Sequence, residues 1–169
     1  MSAEENKAIV RRLFDEVFNK GNLGEADAAL APNYRLHDPA APNFAGGREA
    51  YRQFQARYLK AFPDHRLTVE DQIAEGHRVA TRWTARGTHR GDLPGIPATG
   101  KPVTVTGITI SRIVGGRIAE EWQDWDGLGM LQQLGVVPAH PGAGGKRSKA
   151  VTARRRATGK RPPGGRTRR

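Results

Sequence analysis

The residue types best suited to chemistry gather in the stretch EEWQDW. Glu121, Gln123 and Trp125 alternate there, so a strand sets all three on one face. A carboxylate beside an amide and an indole, in a pocket dry enough to raise its pKa, is a proton-transfer site. Upstream, Gly107, Thr109 and Ser111 repeat at the same period and offer a small polar floor, with Thr109 and Gln123 as hydrogen-bonding partners for a substrate. Trp83 and Trp125 are candidate walls for a planar apolar ligand, or else core packing. Glu121 has two readings that stay open. It is the proton carrier, or it pairs with Arg82 or Arg112 and fixes structure.

The remaining candidates are thinner. The loop YRLHDP presents His37 and Asp38 at a cavity mouth, where His37 would contact a substrate carbonyl. The plainer reading is an exposed histidine and a turn-forming Asp-Pro. His89 closes a strand, while His65 and His77 read as surface residues. No histidines and carboxylates stand at metal-ligand spacing, and no glycine-rich phosphate loop follows a strand, so neither metal nor cofactor is expected. Without cysteines, thiolate ligands, disulfides and cysteine nucleophiles are excluded.

The elements that must position these groups follow from periodicity. Ile9, Val10, Leu13, Phe14, Val17 and Phe18 form one helical stripe, with Ser2 and Glu5 at capping-box spacing. Leu23 to Ala31 reads as a short helix ended by Pro32, Tyr34 to Phe44 as a proline-bearing loop, and residues 47–62 as a third helix. The period then changes to two. Strands are expected over 65–75, 77–89, 102–114 and 117–126, followed by a closing helix over 127–134. Helices first and strands after give an α+β fold. Three N-terminal helices pack as a cone on a strongly curved antiparallel sheet around one internal cavity.

The turn at Gly115-Gly116 decides which side chains share a face. A two-residue loop pairs Val114 with Arg117 and puts Glu121 opposite Ile110. A three-residue loop pairs Ile113 with Arg117 and puts Glu121 opposite Thr109. One slip exchanges the faces. The three-residue reading sorts the residues better: Gly107, Thr109, Ser111, Ala119, Glu121, Gln123 and Trp125 face inward. Ile108, Ile110, Ile118 and Trp122 face outward, an apolar patch that suggests a homodimer through the outer sheet face.

Charge divides the chain. Its formal net charge is +11, yet residues 141–169 hold eleven basic residues and no acid, leaving 17 basic against 17 acidic residues in positions 1–140. A neutral domain over 1–138 therefore carries a basic tail over 139–169, whose composition predicts disorder. The tail's charges, over residues 146–169, attract nucleic acid without reading bases, or merely solubilise. No apolar run is long enough to span a membrane, and the charged N-terminus lacks a secretory pattern, so a cytoplasmic location is expected.

The stretches GTHRGDLPGIPATG and GGRIAEEWQDWDGLGMLQQLG, with NKAIVRRLFDEVFNKGN, YRLHDP and GREAYRQFQARYLKAFPD, resemble the SnoaL-like polyketide cyclases, within the group similar to nuclear transport factor 2. The resemblance covers residues from about 4 to 137. It implies a cone of helices on a bent sheet, pairing through the outer sheet face, and a cofactor-free intramolecular aldol closure of a hydrophobic polyketide ester. The family's acid/base aspartate and its histidine fall at Gln123 and Thr109 here, so Glu121 is expected to take the proton. A related isomerase or hydrolase step, a non-catalytic small-ligand-binding module, and nonspecific nucleic-acid association through the tail are the alternatives.

Overall fold

Ser2 opens the first helix as the sequence requires. Its Oγ accepts from the Glu5 amide at 3.2 Å while Glu5 Oε2 accepts from the Ser2 amide at 2.6 Å. In the computed structural model, which describes residues 1–138, this helix, α1 (Ala3–Phe14), runs into a wider π turn over Asp15–Asn19. Then come α2 (Glu25–Ala29), β1 (Leu30–His37), α3 (Gly47–Ala61), β2 (Arg66–Glu75), β3 (Arg78–Thr88), β4 (Pro102–Val114), β5 (Arg117–Trp125) and α4 (Gly127–Leu134). Helices pack on one face of a five-stranded sheet, as expected of an α+β cone. None of the described helices is long and apolar enough to cross a membrane.

The sheet differs from expectation at one edge. Its order is β1-β5-β4-β3-β2, antiparallel except that β1 runs parallel to β5, so it is mixed. The short second helix stops at Ala29, and residues 30–37 form a strand where a helix end and a loop were expected. Pro32 is tolerated because β1 is an edge strand, where a missing N–H costs no ladder bond. The β1–β5 register is irregular between Leu30 and Arg35, around that proline.

The β4–β5 turn also corrects the sequence reading. Gly115 and Gly116 both have positive φ, 55° and 76°, and Val114 pairs with Arg117 across a two-residue turn. Ile113 pairs with Ile118, and the register then shifts so that Ser111 meets Glu121 and Thr109 meets Gln123. A bulge at Ala119, not the turn, supplies the odd residue. Glu121, Gln123 and Trp125 therefore share a face with Gly107, Thr109 and Ser111, as anticipated, though by a different device. Ile118 is the exception: it lies before the bulge, pairs with Ile113 and is fully buried in the core rather than on the outer face.

Cross-strand rows organise the sheet. On the inner face Gln72, Thr81, Thr109 and Gln123 lie abreast over four strands, and Val79, Ser111, Glu121 and Leu36 form the next row. On the outer face Ile73, Ala80, Ile110, Trp122 and His37 span all five strands. Two apolar clusters fill the cone. One is built around α1, Tyr34 and Trp83, the other around Phe62, Val105 and Met130.

Candidate active site

The end of β1 brings in the group that the sequence left in a loop. Leu36 pairs with Glu121 and His37 with Trp122, so the next residue, Asp38, arrives beside Gln123. Tyr34, Leu36 and Asp38 alternate inward while Arg35 and His37 point out. Asp38 is buried, and three N–H groups hold it. Gln123 Nε2 donates to its Oδ2 at 3.1 Å, Trp125 Nε1 to the same oxygen at 3.3 Å, and the Ala40 amide to Oδ1 at 2.8 Å.

Behind Gln123 the bonds run in one direction. Trp83 Nε1 donates to Thr109 Oγ1 at 3.0 Å, and that hydroxyl donates to Gln123 Oε1 at 3.2 Å. An indole N–H can only donate, so the threonine hydroxyl must turn its own proton toward the amide carbonyl. The amide is thereby fixed with its NH₂ toward Asp38. Trp83 reaches Thr109 because Gly107 leaves its ring room: a Cβ at Gly107 would fall within the indole.

These groups border an open hollow holding about 730 Å³ of unfilled space, its mouth included. Phe18, Phe54, Phe62, Trp83, Trp125 and Met130 form apolar walls, and Asp38, Gln55, Tyr58, His65 and Gln123 are polar groups among them. Tyr58 is raised in pKa by burial and then by the nearby Asp38 charge, so it is held as a neutral O–H donor. His65 is lowered by burial, against the pull of the Phe18 carbonyl and Asp64.

Of the residues expected at the site, Gln123, Trp83 and Trp125 line this hollow together. Thr109 is fully buried behind them and bonds to protein groups on both sides. Glu121 faces inward but does not line the hollow, and a buried hydroxyl meets each of its carboxylate oxygens. Tyr34 Oη donates to Oε2 at 2.7 Å and Ser111 Oγ to Oε1 at 2.6 Å. Burial pushes its carboxyl up in pKa, against those two hydroxyl bonds. Neither suggested arginine pairs with it. Arg112 instead binds Glu120 at 2.9 Å, and Arg82 sits on the outer face opposite Ile108.

His37 lies away from the hollow on the outer face. It is stacked on Trp122 at 5.3 Å, and its Nε2 donates to Glu120 at 2.9 Å. That bond, with Arg112 and Arg35, holds the Glu120 carboxyl below its ordinary pKa. Gln55, Tyr58 and His65 are what the sequence reading missed, and Asp38, offered there at a cavity mouth but read more plainly as a turn former, lies on the wall. For Asp38 the Tyr34-Leu36-Asp38 alternation was the available signal, whereas nothing local marked the other three. Among the described residues no three His, Asp or Glu side chains converge as a metal site requires. The expected nucleic-acid contact over 146–169, like the predicted disorder of the tail, lies outside the described residues.

Residues 8–134 match the family of SnoaL-like polyketide cyclases. Among curated proteins, the chain is 29% identical over 120 residues to nogalonic acid methyl ester cyclase of Streptomyces nogalater, covering 70% of this chain and 89% of that one. It is 31% identical over 134 residues to aklanonic acid methyl ester cyclase DnrD of Streptomyces peucetius, covering 75% and 88%. Among solved structures, TsrD from Streptomyces laurentii superposes with a TM-score of 0.74 at 30% identity, covering 81% of this chain and 99% of that one. IdmH from Streptomyces antibioticus superposes at 0.68 with 35% identity, covering 77% and 98%.

Proposed function

The chain belongs to the SnoaL-like polyketide cyclase family, and from that premise we propose that it closes a ring in a hydrophobic polyketide ester by an aldol reaction, with Asp38 as proton carrier. One observation carries this reading: Asp38 is the carboxylate on the wall of the aromatic hollow. A carboxylate offers about four acceptor positions. Three are occupied by N–H donors here, and one is left for a substrate proton.

Asp38 removes a proton from the carbon next to the ester carbonyl. Tyr58 donates its O–H to the enolate oxygen, which is charge stabilisation by a fixed donor. The enolate carbon bonds to a ketone carbon of the same molecule, and the resulting alkoxide takes the proton back from Asp38. The product is an isomer, and the aspartate ends as it began. The reading gives proton transfer to Asp38 and not to Glu121, whose oxygens face two hydroxyls instead of the hollow.

The test uses the methyl esters of nogalonic and aklanonic acid, for which the two relatives are named. Wild type is expected to convert at least one of them. Asp38→Asn keeps the shape and removes the base, and kcat should fall by roughly 100-fold or more, the scale of general-base catalysis. Turnover by Asp38→Asn at the wild-type rate would remove this residue from the mechanism.

The reading extends to assembly. The outer row holds exposed Ile73, Ile110 and Trp122, with Ile108 beside them. Both signs of charge flank it on either side, Arg78, Arg112 and Glu120 in one neighbouring row and Arg82 and Asp124 in the other. Such a patch can complement a copy of itself across a two-fold axis. Ile110→Glu is expected to turn a dimer into a monomer in sedimentation velocity, with activity per chain as the control. A wild-type monomer at working concentration would refute the assembly.

A further inference from the structure

We infer that His65 is the hollow's acceptor for a ligand hydroxyl, so that the bound ring system carries a phenolic or enolic O–H on the side away from Asp38. This deepens the reading above, because it assigns a chemical feature to the substrate placed there.

The geometry starts at Nδ1, which lies 3.3 Å from the Phe18 carbonyl oxygen. A carbonyl only accepts, so Nδ1 carries the proton. Burial keeps the ring neutral, which leaves Nε2 with its lone pair. No described residue donates to that nitrogen, although the side chain borders the hollow. The ring also leans on Phe18, 5.7 Å between centroids, so its plane is set by the same π turn that supplies the carbonyl. A fixed, neutral, unmatched acceptor against aromatic walls selects a neutral donor, because an unpaired buried polar group on either side loses binding energy.

The sheet then says where that hydroxyl sits. Asp38 follows the last residue of β1 and His65 precedes the first residue of β2, and these are the two edge strands. The register puts the end of β1 level with Ile73, near the far end of β2, through Trp122, Ile110 and Ala80, so Asp38 and His65 are separated along the strands as well as across them. Both residues line one hollow. A ligand that reaches both therefore runs obliquely, along the strands as well as across them. Its reacting carbon is near β1 and its hydroxyl near β2.

The experiment titrates the full chain with 2-hydroxyanthraquinone and 2-methoxyanthraquinone in mildly acidic buffer, read by tryptophan quenching. Wild type is expected to bind the hydroxy compound about tenfold more tightly, the scale of one well-made hydrogen bond. His65→Phe should abolish that preference by weakening the hydroxy compound alone. His65→Gln, whose carbonyl oxygen reaches the position of Nε2, should keep most of it. Equal affinities in wild type, an undiminished preference in His65→Phe, or binding of neither compound would each overturn the inference. Asp38→Asn separates it from the reading beneath. Lost turnover with no hydroxyl preference sinks His65 alone, whereas a preference with undiminished turnover sinks Asp38 alone.

Discussion

Two carboxylates sit on the same inner wall, one cross-strand row apart, and their surroundings have opposite character. Glu121 lies between Tyr34 and Ser111, and each hydroxyl closes one oxygen. Asp38, beside the row of Gln123, is held only by N–H groups and borders the hollow. Burial does not separate them, since both are almost wholly covered. Access does. The tyrosine that closes Glu121 is itself fully buried, and burial raises its pKa well above the ordinary value, so it stays a donor. The lesson is that an inward-facing carboxylate on a strand becomes a proton carrier only if the fold leaves it a free lone pair on an open surface.

The largest expected effect that would break this comparison is the loss of turnover in Asp38→Asn described above, with Glu121→Gln keeping most of its rate. The reverse result would exchange the two roles. A smaller effect sharpens it. Thr109→Val removes the hydroxyl that links Trp83 to Gln123 and frees the amide to turn its carbonyl toward Asp38. Turnover should fall by about tenfold, equivalent to about 1.4 kcal/mol. Thr109→Ser, which keeps the oxygen, should recover most of the loss. A purely structural threonine predicts the same fall in melting temperature for Val but no distinction between the variants in kcat. Steady-state rates on folded protein decide this.

Much of this wall was legible in the sequence. The strand β4 and the helix α4 fell where period and turn residues put them, because both have clear two-fold or helical alternation between glycine boundaries. The inward face of Gly107, Thr109, Ser111, Glu121, Gln123 and Trp125 was also readable, since only one parity sorts small polar residues from isoleucines. The bulge at Ala119 was not, because two shifts of opposite origin give the same parity. The strand β1 was obscured by Pro32 and Pro39, whose usual meaning is a stop. Pro32 is tolerated at a parallel edge formed by pairing with the distant β5, and Pro39 lies beyond the strand's end at His37. Asp38, offered at a cavity mouth, was therefore read more plainly as part of a turn. His65 and Tyr58 depend on how α1 and α3 cross the sheet, a tertiary fact that no local pattern carries.

The smallest effect concerns Glu121 and reads the closed half of the comparison directly. Burial raises its carboxyl pKa above the ordinary 4.5. The folded state therefore holds a proton that the unfolded chain has released, and stability falls as pH rises from about 4.5 through the raised value. Below that window the native side chain is a neutral acid, with one donor and one acceptor for Ser111 and Tyr34. Glutamine offers the same pair: its carbonyl accepts from Tyr34 and its NH₂ donates to a turned Ser111 hydroxyl. Glu121→Gln and wild type should then have nearly equal urea midpoints in acid. Above the window the wild type carries a buried charge with two hydroxyl partners and no cation, so the variant should be the more stable and its urea midpoint the higher. A gap between the two urea midpoints that stays constant across pH would mean that Glu121 titrates normally, and the contrast with Asp38 would then rest on access alone.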